Sequence, residues 1–149
     1  MGTNKSQRSQ LASWIKVNVD GAISNDRSRA SIGGLFRDEL GNWKGGFYMK
    51  ISQDSVIGAE LRAILMGLQL AWDKGFRKVV IESDAKLAVE KVYSGNLMDP
   101  HFNICANIRD LLGRGWCCKL LFSWREANRS ADGLAKRALH LVQEEGWLE

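Results

Sequence analysis

Apolar and polar residues alternate from Trp14 to Asp20 in "WIKVNVD", the two-residue period of a half-buried strand. The segments "ASIGGLFRD" and "NWKGGFYMKIS" read as two further strands, separated by a turn around Asp38 to Asn42, and the three predict an antiparallel meander. The period then changes. In "SVIGAELRAILMGLQLAWDKG" the residues Ile57, Leu61, Ile64, Leu68 and Ala71 recur at helical spacing, and Gly75 supplies a stop. "RKVVIESD" reads as a short strand of the buried, parallel type, and "AKLAVEKVYSG" as a helix ended by Gly95. "NLMDPHFN", with the only proline, reads as a loop. "ICANIRDLLGRG" follows as a helix, "CCKLLFSW" as a strand and "NRSADGLAKRALHLVQEEG" as a closing helix. The order β-β-β-α-β-α-α-β-α predicts an α/β domain over residues 14–149: a sheet of five strands with helices on both faces. Residues 1–13 are polar and aperiodic and read as a disordered lead or linker remnant.

Composition narrows the class. A chain of 149 residues, 45% hydrophobic and 26% charged, has the balance of one ordinary globular domain, long enough to bury about 70% of its unfolded surface. No apolar run approaches membrane-spanning length and no secretory pattern opens the chain, so an intracellular location without membrane contact is the expectation. Cys105, Cys117 and Cys118 lack C-x-x-C spacing, and with only His101 and His140 they meet no zinc template; free thiols in a reducing compartment are expected. A net charge of +4 permits contact with a polyanion without requiring it.

Four acids stand out, and each alone has an ordinary explanation. Asp20 precedes Gly21, and Asp-Gly is a common strand-ending turn. Glu60 could be an exposed acid early in a helix, Asp84 a helix cap, and Asp132 a first-turn residue behind a capping Asn128. Together they say more. Asp20 and Asp84 fall at the ends of strands expected to be neighbours, Glu60 begins a helix lying on that sheet, and the spacings are 40, 24 and 48 residues.

The four local frames, "VNVDGA", "GAELRAI", "IESDAK" and "REANRSADGLAK", resemble the ribonuclease H type 1 family, in particular its plant, reverse-transcriptase-associated branch of retroelement type, over about residues 14 to 145. Four motifs in order on matching elements are far more specific than a lone signature. The resemblance implies an RNase H-like fold, with three antiparallel strands followed by parallel ones. It also implies a metal-dependent endonuclease that cuts the RNA strand of RNA–DNA hybrids and leaves 5′-phosphate ends. Hard carboxylate oxygens select Mg²⁺, with Mn²⁺ as substitute, and two such ions can clamp a scissile phosphate. On this resemblance Asp20 bridges both ions, Glu60 and Asp84 hold the one that activates water, and Asp132 holds the one near the leaving oxygen. The same resemblance places the substrate backbone close to Gly21 and Ala22, and Lys86, Arg125, Asn128 and Arg129 at the nucleic acid. It implies a monomeric domain, derived from or carried in a larger reverse-transcriptase polyprotein. Trp43 and Trp124 could stack on nucleic acid, but core or sheet-surface packing is the commoner role.

Three departures bear on activity. The family's usual histidine, ten residues before the last aspartate, is Phe122 here, which implies reduced turnover. Val56 and Ile57 replace an Asn-Asn pair before the helix glutamate, and "YSGNLMDPHFN" lacks the lysines and arginines of a cationic protrusion. The competing reading is therefore a non-catalytic module of the same fold that binds nucleic acid or protein.

Overall fold

A computed structural model of the chain describes residues 13–124 and 145–148. Six strands form one mixed sheet: β1 (Ile15–Ile23), β2 (Ala30–Asp38), β3 (Trp43–Ile51), β4 (Lys78–Ser83), β5 (Cys117–Phe122) and β6 (Glu145–Leu148). Their spatial order is β5-β4-β1-β2-β3-β6. The expected meander is present, with β1–β2 and β2–β3 antiparallel, while β4 pairs parallel with β1 and β5 parallel with β4. Three helices are described: α1 (Val56–Asp73), α2 (Lys86–Ser94) and α3 (Phe102–Leu112).

The helices contact one another and lie on the face to which Val17, Val19, Ile81 and Leu120 turn, all essentially inaccessible to solvent. Close approach of α1 to the sheet depends on Gly67. A Cβ there would stand 2.8 Å from Val19 Cγ1, so the missing side chain lets the helix axis settle onto β1. Ser55 opens α1 by accepting a hydrogen bond from Gly58 N at 3.0 Å, and left-handed Gly75 (φ +88°) and Gly95 (φ +63°) follow the ends of α1 and α2, as the sequence predicts. No described helix is long and apolar enough to cross a membrane.

Three expectations need correction. The sheet has six strands, not five, because Glu145 and Gly146, expected as the end of a closing helix, begin β6 on the open edge of β3. The exchange has a packing cause: Trp147 lies edge-on to Phe36 at 5.2 Å, Lys74 Nζ sits 4.1 Å over its ring, and a side chain on Gly146 would run into Tyr48. The rest of that helix, 128–144, lies outside the described residues. Secondly, α3 starts inside the expected loop, at Phe102. Asp99 organises this start, pairing with Lys91 and accepting from His101 N at 2.8 Å, while Phe102 N donates to Asp99 O at 3.0 Å. Finally, β1 does not end at Asp20. It continues through Gly21 and Ala22 to Ile23, with Asp20 opposite Gly33 and Gly21 opposite Ile32 on β2.

Candidate active site

Because β1 and β4 are parallel and in register from Ile15↔Val79 to Val19↔Ser83, they deliver the next residues, Asp20 and Asp84, side by side at the same end of the sheet. Ser83 Oγ accepts a hydrogen bond from Ala85 N at 3.1 Å, bending the chain around Asp84. The N-cap position of α2 is Ala85, one residue after the aspartate, and its own side chain makes no capping hydrogen bond. Glu60 arrives from above. It is the fifth residue of α1, buried at 6% exposure rather than solvated as its helix position alone suggests.

The result is a cluster of three carboxylates: ligand oxygens of Asp20, Glu60 and Asp84 all lie within 4.8 Å of one another, with Asp20 and Glu60 buried and Asp84 half-buried. Like charges at such separation repel strongly in a medium that screens them poorly, and a hard divalent cation neutralises them while accepting oxygen ligands. The donor set therefore fits Mg²⁺ or Mn²⁺ and not a soft, thiolate-seeking ion. The fourth acid, Asp132, and Arg125, Asn128 and Arg129 lie outside the described residues.

Gly21 has a neighbour that its sequence frame does not reveal. A Cβ on it would stand 2.7 Å from Ala59 C and 2.9 Å from Glu60 N, so this glycine lets the first turns of α1 reach β1 and carry Glu60 to Asp20. Ala22 is buried. Lys86 is exposed, two residues after Asp84. Phe122 is half-buried and pairs in register with Ser83, which places the residue standing for the family's histidine one strand from the cluster. Neither tryptophan is a core residue: Trp43, at the start of β3, lies on the sheet surface at 46% exposure, and Trp124 is 77% exposed.

Three supporting residues flank the acids in sequence, Lys16 and Asn18 before Asp20 and Glu82 before Asp84. Asn18, buried at 2%, donates from Nδ2 to Glu82 Oε2 at 3.3 Å, and Lys16 Nζ lies 3.3 Å from Glu82 Oε1. This small network ties β1 to β4 on the face that carries Asp20. The sequence signal was a polar residue two positions before each aspartate, Asn18 before Asp20 and Glu82 before Asp84, where strand alternation puts such pairs on one face.

Comparison with known proteins agrees with the geometry. Residues 18–138 match the family described as reverse transcriptase-like. The chain is 37% identical over 138 residues to an Arabidopsis thaliana protein named "Putative ribonuclease H protein", a match that takes in 89% of this chain and 22% of that protein's length. Among solved structures it resembles RNase H1 from the archaeon Halobacterium salinarum, with a TM-score of 0.79 at 23% identity over 85% of this chain and 98% of the other. It also resembles LC11-RNase H1 in complex with an RNA/DNA hybrid, with a TM-score of 0.74 at 22% identity, covering 85% and 96%. At those identities the structural likeness speaks to the fold.

Proposed function

Because the chain belongs to the reverse-transcriptase-like family and folds as a ribonuclease H domain, we propose that it is an endonuclease hydrolysing the RNA strand of RNA–DNA hybrids and leaving 5′-phosphate ends. The observation that carries this reading is the convergence of Asp20, Glu60 and Asp84 from three separate elements to within 4.8 Å. Asp132 is proposed as the fourth acid, from its place in "REANRSADGLAK".

On this reading Asp20, on the central strand, would be shared between two divalent cations, Mg²⁺ or Mn²⁺, while Glu60 and Asp84 would hold one of them and Asp132 the other; the proximity of the first three supports it. When bound, such ions polarise the phosphate and acidify a water for attack. Burial of Asp20 and Glu60 restrains their side chains, so their oxygens are held in place before a cation arrives. Exposed Lys86 offers a positive charge for a phosphate of the approaching strand, with Arg125, Asn128 and Arg129 proposed to act alongside it. Gly21 and Ala22 line the strand beside Asp20. The 22% share of the Arabidopsis protein supports a domain that works inside a longer chain, and we infer a retroelement-derived, reverse-transcriptase-associated one.

Phe122 favours a second reading, a binding module that retains the acids without turnover. The test is incubation of a labelled RNA–DNA hybrid, a double-stranded RNA and a double-stranded DNA of one sequence with Mg²⁺ or Mn²⁺. The nuclease reading requires cuts in the RNA strand of the hybrid alone, lost in Glu60→Gln and in Asp132→Asn. An inactive unaltered protein that still binds the hybrid selects the binding module.

A further inference from the structure

Trp124 is 77% exposed, although an indole is among the side chains most favoured by burial. It is nevertheless held. Its ring packs edge-on against Phe122, with centroids 5.2 Å apart and planes at 74°. Phe122 is paired in register with Ser83, and Ser123 N donates to Ser83 O at 2.9 Å. The backbone under Trp124 is thus clamped to the strand that leads directly into Asp84. Adjacent paired strands lie about 4.8 Å apart, so the chain carrying Trp124 leaves β5 at the carboxylate end of the sheet. Exposed Lys86 puts a cation at the same end.

A rigid, exposed aromatic face next to a nucleic-acid site suits stacking on a base. Bases inside a duplex already have both faces covered by their neighbours. An unpaired base has a face to give, and single-stranded segments are where proteins stack aromatic side chains. The strand that runs past the carboxylates is, on the nuclease reading, the RNA.

We propose that Trp124, braced by Phe122, is a stacking platform for an unpaired base of the RNA strand where single-stranded RNA leaves the hybrid beside the carboxylate cluster. The proposal rests on the hybrid-nuclease reading above and adds a preference to it: hybrids with a single-stranded RNA extension over blunt ones. Phe122 is then a positioning residue for Trp124, and the aromatic side chain at that place has a role that a histidine's acid–base chemistry would not supply.

The experiment compares binding of a blunt hybrid, a hybrid with a short RNA overhang at either end in turn, and the same overhangs made abasic. Fluorescence anisotropy is measured in the Glu60→Gln background with Mg²⁺, so that the strand stays intact. One stacked base should tighten binding of one overhang by about 5- to 150-fold. Trp124→Ala and the abasic overhang should each erase the gain, whereas Trp124→Phe should keep most of it. Stacking carries no charge, so the dependence of affinity on salt should be unchanged in Trp124→Ala, unlike the loss of a phosphate contact. Phe122→Ala should reduce the gain and Phe122→Tyr restore it. Melting curves of the Trp124 variants should match the parent. Equal affinity for blunt and extended hybrids, or a gain that survives Trp124→Ala, overturns the platform while hybrid cleavage by the unaltered protein stands. If the protein binds no hybrid of any kind, the platform and the nuclease reading fall together.

Discussion

Replacing Gly21 with alanine is the sharpest probe of how the site is assembled. The added Cβ would meet backbone, not a flexible side-chain tip: Ala59 C at 2.7 Å, Ala59 Cβ at 2.9 Å and Glu60 N at 2.9 Å. To regain ordinary contact, the start of α1 must retreat from β1 by roughly 0.7 Å, and Glu60 retreats with it. Overpacking of this kind costs about 1–3 kcal/mol, which for a domain of this size lowers Tm by roughly 3–10 °C. The effect on chemistry should be larger in proportion, since a displacement of about 1 Å in a positioned group can cost on the order of 100-fold in rate. Thermal melting with and without Mg²⁺ and hybrid cleavage measure both, and the Mg²⁺-dependent rise in Tm should shrink along with the rate. A Gly21→Ala variant that melts within about 1 °C of the parent and cleaves at the parental rate would refute the idea that α1 is seated on this glycine.

Three other outcomes are expected. Millimolar Mg²⁺ or Mn²⁺ should raise Tm by binding the native state alone, and Asp20→Asn should remove most of that rise; an unchanged curve for the unaltered protein would put the metal centre in doubt. The Lys91 ammonium, with the His101 backbone N–H, holds the Asp99 carboxyl below the usual carboxylate range. Its folded pKa is thus lower than its unfolded one, so its contribution is full above about pH 4 and is lost as pH falls through the depressed value. Asp99→Asn should flatten the acid-side fall of the urea midpoint, and an equally steep fall would discount this contact. Burial pushes the Cys118 thiol up to about 12, while Cys117 is exposed, so a thiol reagent at pH 8 should modify Cys117 first and reach Cys118 and Cys105 only on unfolding.

The helical period of α1 was legible because that helix buries one continuous face, and the alternation of β1 because its apolar residues Ile15, Val17 and Val19 share one face even though Asn18 and Asp20 on the other are buried as well. Gly75 and Gly95 were legible for the same local reason: both adopt positive φ just after a helix. The acids Asp20, Glu60 and Asp84 could be grouped only by their frames, since nothing local distinguishes a cap or a turn from a ligand. Their convergence follows from the parallel β1–β4 register and from the seating of α1 on Gly21, which no short window contains. The Asp-Gly pair of β1 looked like a turn because the dipeptide is frequent in turns. Here the glycine answers to the helix above it. The strand β6 was hidden by size: four residues carry too little pattern to outweigh the helical run before them, and what fixes them is Trp147 against Phe36.

The parallel pairing of β1 with β4 also has a consequence in time. The hairpins of the meander close over short connections, whereas joining Ile15 to Val79 encloses more than sixty residues, including all of α1. Loop closure of that length and non-local strand pairing slow folding. The three carboxylates lie on both sides of this junction, so they cannot converge until it has formed, and metal affinity is acquired only after the rate-limiting pairing. In stopped-flow refolding, divalent cation should therefore leave the rate of the main folding phase nearly unchanged and slow unfolding instead. The cation would act as a lock fitted after the door has shut, and a chain still emerging during synthesis would have no three-carboxylate cluster until Asp84, just after β4, had been made.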